Sequence, residues 1–122
     1  MLLKNLYKIL TFNFNEGELQ SEIFINQDHE IFKGHFPGNP VMPGVCMIQI
    51  IKELTEKALD KKLFMEKSSN IKFMALINPE VNNTLVLNLN ISDENDEIKV
   101  KNITKMGDTV ALKFNGVYRV VD

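Results

Sequence analysis

Alternation with a period of two runs through both ends of this chain, and a period near 3.6 occupies its middle. Leu19, Ser21, Ile23 and Ile25 alternate with Gln20, Glu22 and Phe24, the pattern of a half-buried strand. Residues Leu2 to Phe14 read as an earlier strand, joined to Leu19 to Ile25 by a turn around Asn15-Glu16-Gly17. From Pro43 or Gly44 to Leu59 the spacing predicts a helix, with Met47, Ile50, Ile51, Leu54 and Ala58 on one apolar stripe. At about 100° per residue, Val45, Gln49, Lys52, Glu53 and Glu56 fall on the other side. The first half, Val45 to Ile51, is apolar almost all round, with Gln49 its one polar interruption. That half is expected to be buried on more than one face.

Beyond the helix the chain reads as a meander of strands: Ser68 to Ile77, Thr84 to Ser92, Glu97 to Thr104 and Thr109 to Val121. Breaks fall at Asn78-Pro79 through Asn83, at Asp93 to Asp96 and at Met106-Gly107-Asp108. One long helix amid about six strands is an α+β pattern. The 122 residues suit a single domain over 1–122, with no repeat, linker or low-complexity tract. At this size a chain buries about two thirds of its unfolded surface, enough for a core without staples.

Composition narrows the chemistry. A net charge of −2, with thirteen lysines and Arg119 as the single arginine, argues against nucleic acid as the main partner. Cys46 is the one cysteine, which excludes an intramolecular disulfide and a multi-cysteine zinc site. Two histidines leave little room for a metal cage, and no metal is expected. Lys4 and Lys8 interrupt the N-terminal apolar run, unlike a signal peptide, and no stretch approaches about 18 apolar residues, so no membrane span is expected. The expected compartment is a reducing cytoplasm.

The segment from Asn26 to Gly44 holds Gly34, Pro37, Gly38, Pro40 and Pro43-Gly44, and reads as a structured loop. His35 within it could exchange protons near neutral pH. The helix that follows offers free N–H groups and a positive dipole end to a carbonyl oxygen. A base beside an oxyanion site is what proton abstraction alpha to a thioester requires.

Gly34 to Val45, as Gly-His-Phe-Pro-Gly-Asn-Pro-Val-Met-Pro-Gly-Val, resembles the signature of the beta-hydroxyacyl-acyl carrier protein dehydratases of the hot-dog fold. The match is twelve contiguous residues. The order of elements agrees with that family across nearly the whole chain, and Asn70-Ile71-Lys72-Phe73-Met74 is similar to the strand after its helix. The resemblance implies an antiparallel sheet wrapped around one central helix, acting on acyl carrier protein-bound substrates in fatty-acid or related lipid or polyene synthesis. It implies a homodimer or higher assembly, with each acyl tunnel shared between two subunits, and no cofactor.

Residue by residue, His35 matches the catalytic histidine that exchanges the C2 proton. Gly44 matches the residue whose N–H polarises the thioester carbonyl. Phe36, Val41 and Val45 are the further substrate-binding positions, and the Val41 carbonyl is a candidate partner for the second ring nitrogen of His35. The family's acid lies fourteen positions after its histidine, on the helix of the second subunit. Here that position is Gln49. An amide donates and accepts hydrogen bonds but does not titrate usefully, and losing a positioned acid typically costs about 10²–10⁴ in rate. Three arrangements remain open. Gln49 orients the hydroxyl or a water while another group supplies the proton, Glu53 one turn later reaches the site, or elimination has given way to thioester hydrolysis or acyl binding beside a catalytic subunit.

Other residues read plainly. His29 matches no site position and is expected to brace a loop. Cys46 is expected to be a small buried residue, and Met42 and Met47 to be packing. Asp93 to Glu97 lacks the spaced oxygen ligands of a calcium loop. Lys33, Lys52, Lys57, Lys61, Lys62 and Lys72 are available to an acidic carrier.

Overall fold

Two-residue turns with left-handed backbone set the strand pairing. A computed structural model of the chain describes residues 4–34 and 40–121. Strand β1 (Tyr7–Asn15) turns through Glu16 and Gly17, at φ 50° and 81°, into β2 (Glu18–Ile25). Paired positive φ values are those of a hairpin turn whose twist matches its strands. Gly17 is required twice over, because a Cβ there would also lie 2.7 Å from the Ile91 carbonyl oxygen. Asn95 and Asp96, at φ 53° and 63°, make the same kind of turn between β4 (Thr84–Glu94) and β5 (Glu97–Met106). The acidic run Asp93 to Glu97 is thus a hairpin end, with Asp93 paired to Lys61 at 3.2 Å. Strand β6 (Thr109–Val121) has the bounds its alternation predicts.

Among the described residues the six strands form one antiparallel sheet in the order β1-β2-β4-β5-β6-β3. Two edges remain, β1 and β3 (Lys62–Phe73). The inward row of the sheet includes Leu19, Ile23, Leu85, Leu87, Ile98, Val100, Leu112 and Phe114, all buried. These residues close on helix α2 (Gly44–Leu59), which contributes Met47, Ile50, Ile51 and Leu54 to the same cluster. Each such side chain stabilises the fold by about 1.5–3 kcal/mol when fully buried.

Several expectations need correction. Lys4 to Leu6 form a turn, so the first strand starts at Tyr7; Leu2 and Leu3 lie outside the described residues. The loop from Asn26 contains a single helical turn, α1 (Ile31–Gly34), ahead of its prolines. Strand β3 begins at Lys62, six residues before Ser68, and ends at Phe73. Its first half escapes alternation because an edge strand buries little: Leu63 alone there is fully inside. In α2 the buried stripe is Cys46, Met47, Ile50, Ile51, Leu54 and Thr55, with Ala58 only partly covered. Val45, expected to be enclosed, is 64% exposed in the single chain.

Candidate active site

The start of α2 is built for an acceptor from outside the helix. Pro43 precedes it at φ −63° and ψ 140° and supplies no side-chain cap. The Pro43 carbonyl accepts from Cys46 and Met47 N–H, at 3.0 and 3.3 Å. The N–H groups of Gly44 and Val45 therefore belong to the first turn, which has no intrahelical acceptor to offer them. Positive dipole potential concentrates at the same place. Met42 N–H donates to the Ile77 carbonyl at 2.8 Å, tying the approach to the helix to the chain beyond β3.

Phe73, the last residue of β3, roofs this turn. A Cβ on Gly44 would lie 2.6 Å from Phe73 Cζ, so glycine is what allows the ring to sit over the backbone. Phe73 pairs in register with Leu112, and Ile71 with Phe114. Both side chains therefore point to the helix side of the sheet, as their buried partners do. Yet Phe73 is 57% exposed and Ile71 39%. Val45, in the first turn of α2, and Met74 and Leu76, just past the end of β3, are exposed apolar side chains as well.

One turn into α2, Gln49 is part of a hydrogen-bonded chain. Its Nε2 donates to Glu53 Oε2 at 3.1 Å, and the Tyr7 hydroxyl donates to Glu53 Oε1 at 2.7 Å. All three are partly buried. Burial pushes the Tyr7 hydroxyl well above its ordinary pKa, reinforced by its bond to Glu53 and the charges of Glu53 and Glu56. Tyr7 thus stays protonated and remains a donor. The helix spacing makes the Gln49–Glu53 pair visible in sequence, but nothing there marked Tyr7.

His35 and Phe36 lie outside the described residues. Val41 is buried immediately before α2. Just ahead of the motif, His29 braces the chain: its Nδ1 accepts from Ile31 N–H and its Nε2 faces the Lys4 carbonyl, each at 3.0 Å. Since Nδ1 is the acceptor, Nε2 carries the proton and donates to Lys4. Cys46 is buried, and burial pushes its thiol pKa up, away from nucleophilic use. Lys57, Lys61 and Lys62 line one recess at the C-terminal end of α2, and Lys33 lines another with His29 and Pro40. An open recess of about 640 Å³ lies over the outward row Asn13, Gln20, Asn88 and Lys113. Leu19, Leu89, Ile103 and Phe114 line it as well, among a majority of polar residues. Among the described residues no cluster of three metal-ligating side chains occurs, and no helix is long and apolar enough to cross a membrane.

Fold and site define a hot-dog protein with an uncapped, apolar-roofed helix start. The structure resembles the dehydratase heterocomplex ApeI:P from Xenorhabdus doucetiae, with a TM-score of 0.72 at 20% identity, covering 94% of this chain and 97% of that one. A putative thioesterase, yhdA of Lactococcus lactis, also gives 0.72, at 11% identity over 100% of this chain and 99% of that one. These likenesses establish the fold. The family model for ApeI-like proteins, the ApeI dehydratase, matches residues 12–113. The 3-hydroxyacyl-acyl-carrier-protein dehydratase FabZ of Lactobacillus helveticus is 32% identical, over 99% of this chain and 89% of that protein. FabZ of Caulobacter sp. is also 32% identical, over 75% of this chain and 61% of that protein. The chain belongs to the ApeI-like dehydratase family, within the hot-dog beta-hydroxyacyl-acyl carrier protein dehydratases.

Proposed function

We propose that this protein dehydrates 3-hydroxyacyl thioesters carried on acyl carrier protein to trans-2-enoyl thioesters, in fatty-acid or related lipid or polyene synthesis in the cytoplasm. The observation that carries the reading is the uncapped first turn at Gly44 beneath Phe73, at the place where the family anchors a thioester carbonyl. The Gly44 N–H holds the carbonyl oxygen and its growing negative charge. His35 takes the C2 proton, the C–H electrons become the C2–C3 double bond, and the C3–O bond breaks. Gln49 holds the departing oxygen by hydrogen bonding. The proton on His35 then passes to that oxygen, directly or through a water, and leaves as part of the product water. Phe36, Val41 and Val45 line the acyl path. The balance closes with acid–base groups alone.

Each site is assigned to two subunits of a homodimer, Gln49 of one facing His35 of the partner subunit. Support comes from Ile71 and Phe73, which face the core side yet stay exposed, and from the twelve-residue edge strand β3. An unpaired edge of that length is a template for a second chain.

The test supplies a 3-hydroxyacyl thioester on carrier protein and follows enoyl absorbance together with free thiol. Enoyl formation that disappears in His35→Ala supports dehydration. Thiol release without enoyl identifies a thioesterase instead. Because Gln49 carries no acidic proton, a second reading is an acyl-binding subunit that works beside a different catalytic chain, and silence in both channels selects it.

A further inference from the structure

Gln49 is not left to choose its own rotamer. Its Nε2 is tied to Glu53, and Glu53 is in turn tied to Tyr7, forty-six positions away on the first strand. A carboxylate accepts only, so the amide must turn its nitrogen to Glu53. The amide is planar, which directs Oε1 and the second N–H away from Glu53 together. The Glu53 carboxylate accepts on both oxygens, an arrangement suited to holding an amide. Gln49 lies on the same side of α2 as exposed Val45, facing away from the buried stripe.

We propose that Glu53, clamped by Tyr7, is a positioning residue that fixes the flip and rotamer of Gln49, so that its free N–H and Oε1 meet the substrate's 3-hydroxyl. The proposal rests on the dehydratase reading above and assigns Tyr7 and Glu53 a part in it. Glu53 is not the missing acid. It replaces titratable chemistry at position 49 with a preorganised amide that supports the leaving oxygen while His35 manages the proton.

Two measurements on the full-length protein test this. The first follows the Gln49 side-chain amide by ¹⁵N–¹H NMR, assigned by its loss in Gln49→Met. One strongly shifted, carboxylate-bound proton is expected in the wild type. It should move to the free-amide position in Glu53→Ala and part of the way in Tyr7→Phe. The second is kinetics. Glu53→Ala should lower kcat about 10–100-fold, the range expected when a reacting group loses its placement, with KM within about twofold. Glu53→Gln, whose amide can accept from Gln49 but can also donate to its Oε1, should recover only part of that loss.

An amide resonance unaffected by Glu53→Ala overturns the proposal, as does an unchanged kcat in that variant. So does Glu53→Gln matching the wild type, because its amide no longer dictates which way Gln49 turns. A wild type that makes no enoyl but shows the bound amide proton overturns the dehydratase reading and leaves the clamp supported.

Discussion

Replacing Gln49 by glutamate puts a second carboxylate where an amide nitrogen now lies 3.1 Å from Glu53 Oε2. Two unit charges about 4 Å apart repel by about 4 kcal/mol at an effective dielectric constant near 20, which corresponds to a pKa rise of about 3 units. Both positions are only partly buried, so solvent screening brings the rise to about 1.5 units. The introduced carboxyl then titrates near 6, starting from about 4.3, because one proton must be shared between the two groups. At pH 7 about a tenth of the protein holds that proton, ready for a departing hydroxide. A positioned acid contributes about 10²–10⁴ in rate, so Gln49→Glu should raise dehydration tenfold or more at pH 7, and further as pH falls toward 6. The double variant Gln49→Glu/Glu53→Gln removes the like charge, returns the pKa toward 4.3, and should lose about 30-fold of the gain above pH 6. The assay is enoyl absorbance against pH for wild type and both variants. A carboxyl whose folded pKa is raised binds more protons folded than unfolded, so Gln49→Glu loses stability relative to wild type as pH rises from about 4.3 through 6. No gain in rate, or superimposable pH profiles for the single and double variants, refutes the reasoning.

Gly44→Ala meets the far end of an exposed Phe73 ring, which can swing aside; thermal unfolding should shift by less than about 1 kcal/mol, while KM for the thioester rises several-fold. Tyr118 is fully buried and, among the described residues, its hydroxyl has no hydrogen-bond partner. Burial, aided by the Glu56 charge, pushes its pKa up, and an unsatisfied polar group costs about 1–3 kcal/mol. Tyr118→Phe should therefore be neutral or stabilising in urea denaturation. Leu76, 75% exposed three residues beyond the end of β3, should tolerate Leu76→Lys in folding, but that variant of the proposed homodimer should run as a monomer by light scattering.

The readability of the fold from sequence followed burial. Helix α2 was legible to within a residue because Pro43-Gly44 begins it and an apolar stripe runs along it, although Cys46 and Thr55 join the buried stripe and Ala58 is only partly covered. Strands β2, β4, β5 and β6 are covered on one face and alternate accordingly. Lys62 to Lys67 does not, since at an edge the packing that imposes alternation is missing. The four residues of α1 are too few to show a helical period. For the candidate site, the motif register nominates Gly44 and Gln49, and the spacing of Gln49 and Glu53 predicts that they are neighbours, as their hydrogen bond shows. The Phe73 roof and the Tyr7 clamp were not legible. Each depends on how a sheet edge curls back on the helix, a contact set by tertiary packing and not by any local pattern.

Those two contacts also bear on the proposed two-subunit site. Phe73 reaches α2 from the β3 edge at Gly44, and Tyr7 reaches it from the β1 edge at Glu53. Between Gly44 and Gln49 the helix rises about 7.5 Å and turns about 140°. The Gly44 N–H points along the axis toward the N-terminus, whereas Gln49 projects sideways one turn and more beyond it. Within one subunit they diverge, yet a 3-hydroxyacyl thioester has its carbonyl and hydroxyl only two carbons apart. The proposed mechanism therefore assigns the carbonyl anchor and the hydroxyl holder of one site to different subunits. Mixing decides the matter. His35→Ala and Gln49→Ala homodimers each carry a defect in both sites. A mixed dimer concentrates both defects in one site and leaves the other whole. With random exchange half the dimers are mixed, and each has one intact site of two, so about a quarter of wild-type activity should return. Exchange confirmed by mass spectrometry without that recovery places both groups on one chain and overturns the two-subunit site.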